Sequence, residues 1–274
     1  MNMPHLSSVS LAIKRSIVSM CHHAKASHVG SGLSCADILS VLYLGKVLRF
    51  EPKKPEWEGR DRFILSKGHA SAAFYATLAH AGFFPISELD SYYQDGSRMP
   101  GHPVKGLLPG IEVSTGSLGH GLGLGTGMAT AFMLDKKPNR VFVLMSDGEL
   151  DEGSVWEAVL FAGAKKLGNL IAIIDYNKLQ SFGRVKEVLD LEPIEDKFRS
   201  FGWDVKRVDG NSIEELQKLF NSDFLSSKKP KVVIADTIKG HGVSFMQDKL
   251  EWHYKSPSDS EYRIAMEELK EGKR

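Results

Sequence analysis

From position 8 to 24 apolar side chains fall at helical spacing, through Leu11, Ile13, Ile17, Val18 and Cys21. A polar, glycine-bearing loop follows at 27–32, and Ser34 then stands as the N-cap of a helix over 35–44. Residues 51–61, rich in proline and charge, read as a surface loop. Phe63-Ile64-Leu65-Ser66 is a short buried strand, and Lys67-Gly68-His69 turns into an apolar helix over 70–81. The stretch 85–120 is irregular and rich in Gly, Pro and His. A loop of that length inside a compact chain is functional rather than filler. A small-residue helix over 121–134 follows it.

Two apolar runs then stand out, Val141-Phe142-Val143-Leu144-Met145 and Leu170-Ile171-Ala172-Ile173-Ile174, with a helical stretch over 152–167 between them. Strand, crossover helix and parallel strand bring two strand ends side by side at the carboxyl edge of one sheet. Asp147-Gly148-Glu149 follows the first run and Asn177 closes the second. One carboxylate and one amide oxygen therefore converge where ligands bind, and hard oxygen donors of this kind suit Mg²⁺ held against a diphosphate. A strand over 203–208, a capped helix over 212–220, a strand over 231–237, an irregular segment over 238–257 and a charged C-terminal helix complete the chain. The alternation predicts an α/β fold with a mostly parallel sheet flanked by helices. With no repeat and no interdomain linker, residues 1–274 read as a single domain with an N-terminal helical extension.

Composition narrows the function class. Of 274 residues 42% are hydrophobic and 25% charged, as in an ordinary soluble protein. A formal net charge of +1 argues against nucleic acid or an anionic membrane as partner. No apolar run reaches the roughly 18 residues needed to span a bilayer, and residues 1–18 lack the order of a signal peptide. Cys21 and Cys35 imply no disulfide framework, so the expected location is the cytoplasm.

Each chemical motif has two readings. Asp147-Gly148 is a metal-binding element or a turn; Glu149 and Glu152 are site acids, or acids placed to suit a helix N-terminus. The run Thr115-Gly116-Ser117-Leu118-Gly119-His120-Gly121-Leu122-Gly123-Leu124-Gly125 lets the backbone approach an anion, or packs a helix closely. It misses the G-x-G-x-x-G register, and no G-x-x-x-x-G-K-[ST] occurs, so neither a Rossmann site nor a P-loop is supported. His28, His69, His102 and His253 each lie in a loop or at an element end. Singly they are solvated side chains; together they suggest a pocket whose imidazoles move protons near neutral pH. Their spacing is not that of a zinc site. His5, His22, His23 and His80 read as structural or solvated. Lys67 and Lys239, beside glycines, neutralise a phosphate or are simply exposed.

These residues together resemble the thiamine-diphosphate-binding half of transketolase. The likeness runs from Ser27-His28 through Leu65-Ser66-Lys67-Gly68-His69-Ala70, Gly101-His102-Pro103, Glu112-Val113-Ser114-Thr115-Gly116-Ser117-Leu118-Gly119, Ser146-Asp147-Gly148-Glu149, Asn177, Thr237-Ile238-Lys239-Gly240 and Trp252-His253. The resemblance implies a thiamine-diphosphate-binding fold and transfer of a two-carbon ketol unit from a ketose to an aldose. Asp147, Asn177 and the Leu179 carbonyl would be ligands of Mg²⁺, with Ca²⁺ or Mn²⁺ as substitutes. Gly116, Ser117, Leu118, Gly148 and Glu149 would border the cofactor. Lys67, His69, Lys239 and His253 would lie near the diphosphate and reacting carbon, with His28 and His102 on donor-sugar hydroxyls. Glu152 is similar to a buried acid that links paired active sites. Ser146, His120 and His241 depart from the pattern, where Gly, Gln and Lys or Arg are usual. The implied partner is a C-terminal transketolase subunit carrying the pyrimidine-binding half, in a 2+2 heterotetramer. A 2-oxo-acid decarboxylase or dehydrogenase component and a binding protein with a vestigial cofactor fold are the competing readings.

Overall fold

The structure, a computed structural model, describes residues 3–270. Five strands form one sheet in the order β1-β2-β3-β5-β4: β1 Arg62–Leu65, β2 Val141–Ser146, β3 Leu170–Tyr176, β4 Asp204–Asp209 and β5 Lys231–Asp236. Every pair is parallel, with Val141 opposite Leu170 and Ser146 opposite Asp175. β2 and β3 are buried along their whole length, which is why they read as unbroken apolar runs rather than alternating ones.

Successive side chains of a strand point to opposite faces, and the core divides accordingly. Phe142, Leu144, Ile171, Ile173, Val233 and Ala235 join helices α1 Met3–His23, α2 Val29–Leu44, α3 Ser71–His80 and α8 Ile213–Phe220 in one apolar layer. Val141, Val143, Met145, Leu170, Ala172, Ile174, Val232 and Ile234 meet α4 Gly121–Leu134, α5 Gly153–Lys165 and α7 Ile194–Ser200 in the other. A short helix α6, Val185–Val188, and a final helix α9, Asp259–Glu268, complete the set.

Local chemistry explains most element ends. Ser212 caps α8 by accepting the Glu215 N–H, and Ser258 with Glu261 closes a capping box on α9. One predicted cap is corrected. α2 begins at Val29, so Ser34 lies inside it, where its Oγ donates to the Asp175 carboxylate at 2.5 Å. The glycines and serines of 29–34 favour a loop by propensity, but all six residues are buried and tertiary packing decides. α6, α7 and a 3₁₀ turn at Ile86–Ser91 were not anticipated; none exceeds seven residues, too short for a periodic pattern. Among the described residues no helix is long and apolar enough to cross a membrane.

Candidate active site

Four strand ends meet at the carboxyl edge of the sheet. β1 runs into Lys67 and His69, β2 into Asp147, β3 into Asn177 and Leu179, and β5 into Lys239. They line a cleft of ≈ 370 Å³ together with His28, Gly116, Leu118, Gly148, Glu152 and His253. Thirteen predicted residues therefore share one site: His28, Lys67, His69, Gly116, Leu118, Asp147, Gly148, Glu152, Asn177, Leu179, Lys239 and His253 line the cleft, and His102 adjoins it with its ring 6.4 Å from that of His28.

The histidines form a wall. The His28 ring lies 5.3 Å from that of His69 and 4.9 Å from that of His253, and His69 is 5.6 Å from His253. His28 occupies the left-handed region (φ 69°), which is uncommon outside glycine and costs of order 1–3 kcal/mol. It is held there by donation from its N–H to the His253 carbonyl at 3.0 Å. Burial, then neighbouring positive charge, drives these rings toward the neutral form. His28 falls to about 4 and His253 to about 3, His69 lies well below the ordinary imidazole value, and burial also lowers His102. At neutral pH they are bases and hydrogen-bonding groups, not cations. Lys239 Nζ is 2.9 Å from His253 Nδ1. An ammonium has no lone pair, so Nδ1 accepts and the neutral ring carries its proton on Nε2.

The opposite wall carries oxygen. Asp147 is buried and accepts the N–H groups of Gly148 at 2.8 Å and Lys178 at 2.6 Å. Burial, then the charge of Asp175, raises its carboxyl to about 6. Asn177 Oδ1 accepts the Leu179 N–H at 3.1 Å, and the Leu179 carbonyl accepts Lys239 Nζ at 2.9 Å. Among the described residues no group of three His, Cys, Asp or Glu side chains converges as a metal site. A carboxylate, an amide and a carbonyl do not form such a group, yet they are the hard donors that Mg²⁺ shares with phosphate and water. An electron-rich carboxylate to which no cationic side chain among the described residues is bonded, beside a carbonyl that already attracts an ammonium, fits a divalent cation. Gly116 sits at φ 153°, a backbone conformation that side chains rarely adopt, which favours glycine beside the His102 ring.

Some expectations need correction. Lys67 is at the cleft floor, but its ammonium is committed to the Asp175 carboxylate and to the Ser31 carbonyl at 3.1 Å, with no exposed surface. Glu149 does not line the cleft. It is buried behind it, accepting Ser66 Oγ, the Gly119 N–H at 2.9 Å and the Ser146 N–H at 3.4 Å. Ser117 is exposed and also outside the cleft. Glu152 is at the rim of the cleft and exposed in the single chain. Sequence reasoning missed Ser31, Asp151, Gln180, Ser181, Phe182 and Val188 in the lining, and the closed network in which Ser34, Lys67 and Thr237 all donate to Asp175. The available signal was a lysine beside a buried strand, which demands a counter-charge.

Residues 8–269 match the family described as transketolase, thiamine diphosphate binding domain. Over 258 residues the chain is 43% identical to one of the subunits of an apulose-4-phosphate transketolase from Phocaeicola vulgatus, covering 94% of this chain and 91% of that one. It is 42% identical over 246 residues to a 6-deoxy-6-sulfo-D-fructose transketolase subunit of a Clostridium strain, covering 89% of each. The crystal structure of transketolase from Campylobacter jejuni superposes with a TM-score of 0.91 at 32% identity, over 98% of this chain but 43% of that protein's length.

Proposed function

The chain belongs to the transketolase family, and on that premise we propose that it is the N-terminal, diphosphate-anchoring subunit of a two-chain transketolase. The reaction is transfer of a two-carbon ketol unit from a ketose or ketose phosphate to an aldose or aldose phosphate. The observation that carries this reading is the meeting of hard oxygen donors from Asp147, Asn177 and Leu179 with neutral histidines in one cleft.

Thiamine diphosphate, when bound, supplies the carbon nucleophile that accepts the ketol unit. Asp147, Asn177 and the Leu179 carbonyl would hold Mg²⁺, or Ca²⁺ or Mn²⁺, against its diphosphate. Gly116 and Gly148 leave room for that group, and Lys239 offers it positive charge. His28, His69, His102 and His253 bind donor hydroxyls and take up the hydroxyl proton released as the carbon–carbon bond breaks, since at neutral pH the rings are unprotonated and carry a free lone pair.

The cleft has one wall too few. Phe182 borders it at 83% exposure, Glu152 stands uncovered at the rim, and Leu124, Leu160 and Phe161 leave an apolar face on α4 and α5. Such surface suits burial against another protein chain. We assign the cover to a pyrimidine-binding C-terminal subunit, in a 2+2 assembly in which residues 1–274 act as one domain with α1 as its N-terminal extension. Free, buried Cys21 and Cys35 accord with a cytoplasmic location. The test is reconstitution. Mixing the chain with a candidate partner should give ketol transfer that requires both proteins, thiamine diphosphate and Mg²⁺. Turnover of pyruvate instead of ketose phosphates would move the chain to another thiamine enzyme class.

A further inference from the structure

One buried ionic cluster lies outside the cleft and has no part in the chemistry above. Asp37, on α2, is 1% exposed and is met by four polar partners from three segments. Ser10 Oγ donates at 2.6 Å, Lys14 Nζ at 2.7 Å and Asn211 Nδ2 at 3.1 Å. The fourth partner is His241, whose Nδ1 lies 3.1 Å from the Asp37 carboxylate and 3.0 Å from Lys14 Nζ. Burial pushes the Asp37 carboxyl up, but Lys14 and His241 overcome it and hold the group below its ordinary range.

Lys14 and Asp37 already neutralise each other, so the pair persists without His241. What His241 adds is a connection. It stands two residues after Lys239, across Gly240, which turns at φ 79° and donates its N–H to the Gly30 carbonyl at 3.0 Å. A Cβ on Gly240 would sit 2.5 Å from the Met246 carbonyl oxygen, so the reversal requires glycine. Lys239 reaches into the cleft, to the Leu179 carbonyl and His253, while His241 reaches away from it to the buried pair. Lys239 is 1% exposed on a loop, so its position follows that of the backbone that carries it.

We infer that His241 is a positioning residue: by docking on the Lys14–Asp37 pair it fixes where Lys239 presents its ammonium to the cofactor's diphosphate. The inference rests on the reading of the cleft as a diphosphate site. It also accounts for an imidazole at this position. Lys14 already supplies one buried cation to one carboxylate, and a second fixed cation beside it would be repelled.

The test compares wild type, His241→Ala and His241→Asn as full chains assembled with the partner subunit. Thiamine diphosphate is titrated with Mg²⁺ present. His241→Ala should weaken cofactor binding about 10-fold, the lower range for residues that orient a ligand group. It should raise the apparent KM for the cofactor and leave kcat at saturating cofactor unchanged. Asparagine places a polar atom where Nδ1 stood, so His241→Asn should restore affinity to within about threefold. A lower melting temperature with unchanged cofactor affinity in His241→Ala would make the residue structural only and overturn the inference. Equal weakening in both variants would also overturn it, since the Nδ1 contact would then not matter. Failure of the wild-type complex to bind thiamine diphosphate would instead overturn the diphosphate reading, and this inference would fall with it.

Discussion

Asp147 and Asp175 stand at the carboxyl ends of neighbouring strands, both buried, and they do opposite work. Asp175 is closed. Ser34 and Lys67 donate to one of its oxygens and Thr237 to the other, and it has no exposed surface. Asp147 is open. Among the described residues it accepts only two backbone N–H groups and bonds no cationic side chain, and its carboxyl is raised to about 6 by burial and by Asp175. Residue type and sheet position are the same; the partner inventory separates them. A saturated carboxylate is architecture, because it has nothing left to offer a ligand. An unsaturated one, kept ionised at a cost, still has acceptor capacity to offer a ligand.

The comparison breaks most visibly at Asp175. Asp175→Asn leaves the Lys67 ammonium buried without its counter-charge, a loss of about 3–5 kcal/mol. Thermal melts should show the chain strongly destabilised, and an unchanged transition would mean that the network around Asp175 is not structural.

A smaller effect comes from the histidines that share the open cluster. Free imidazole titrates near 6.5, whereas His28 and His253 titrate near 4 and 3 in the folded chain. As pH falls below 6.5 the unfolded chain takes up protons that these rings refuse, so folded stability declines from pH 6.5 to about 4 through His28 and on to about 3 through His253. The decline should be shallower in His28→Asn. An identical pH slope in wild type and variant would show that the ring is not held neutral by the fold.

The smallest change in stability belongs to Asp147→Asn. It forfeits one acceptor for a backbone N–H, but it also removes a buried charge repelled by Asp175. The two effects oppose, and the net shift should lie within about 1 kcal/mol. A collapse comparable to that of Asp175→Asn would erase the distinction between the two carboxylates.

Much of this was legible in the chain of residues alone. The runs 141–145 and 170–174 announced parallel strands because both faces of each are covered, and Asp147 and Asn177 followed from where those strands end. The histidines were visible by type and by family likeness, and four distant segments do bring them together. What stayed hidden was partnership. Ser34 looks like a cap because nothing in its neighbours reveals that Asp175, far along the chain, will claim its hydroxyl. Glu149 and Glu152 are three residues apart with similar local surroundings, yet one is buried behind the cleft and the other uncovered at its rim. Lys67 and Lys239 both follow the ends of strands at the same sheet edge, but only Lys239 keeps its ammonium beside the proposed metal carbonyl. Spacing names the candidates; long-range contacts decide which are free.

We propose that Asp147, Asn177 and the Leu179 carbonyl grip a divalent cation and, through it, the diphosphate. Calorimetric titration of thiamine diphosphate into the assembled complex, with and without Mg²⁺, tests it directly in wild type and in Asp147→Asn. Binding should be Mg²⁺-dependent in wild type and weakened more than about 100-fold in the variant, beyond the range for residues that merely support a metal ligand. Equal Mg²⁺-dependent affinity in the two proteins would contradict it.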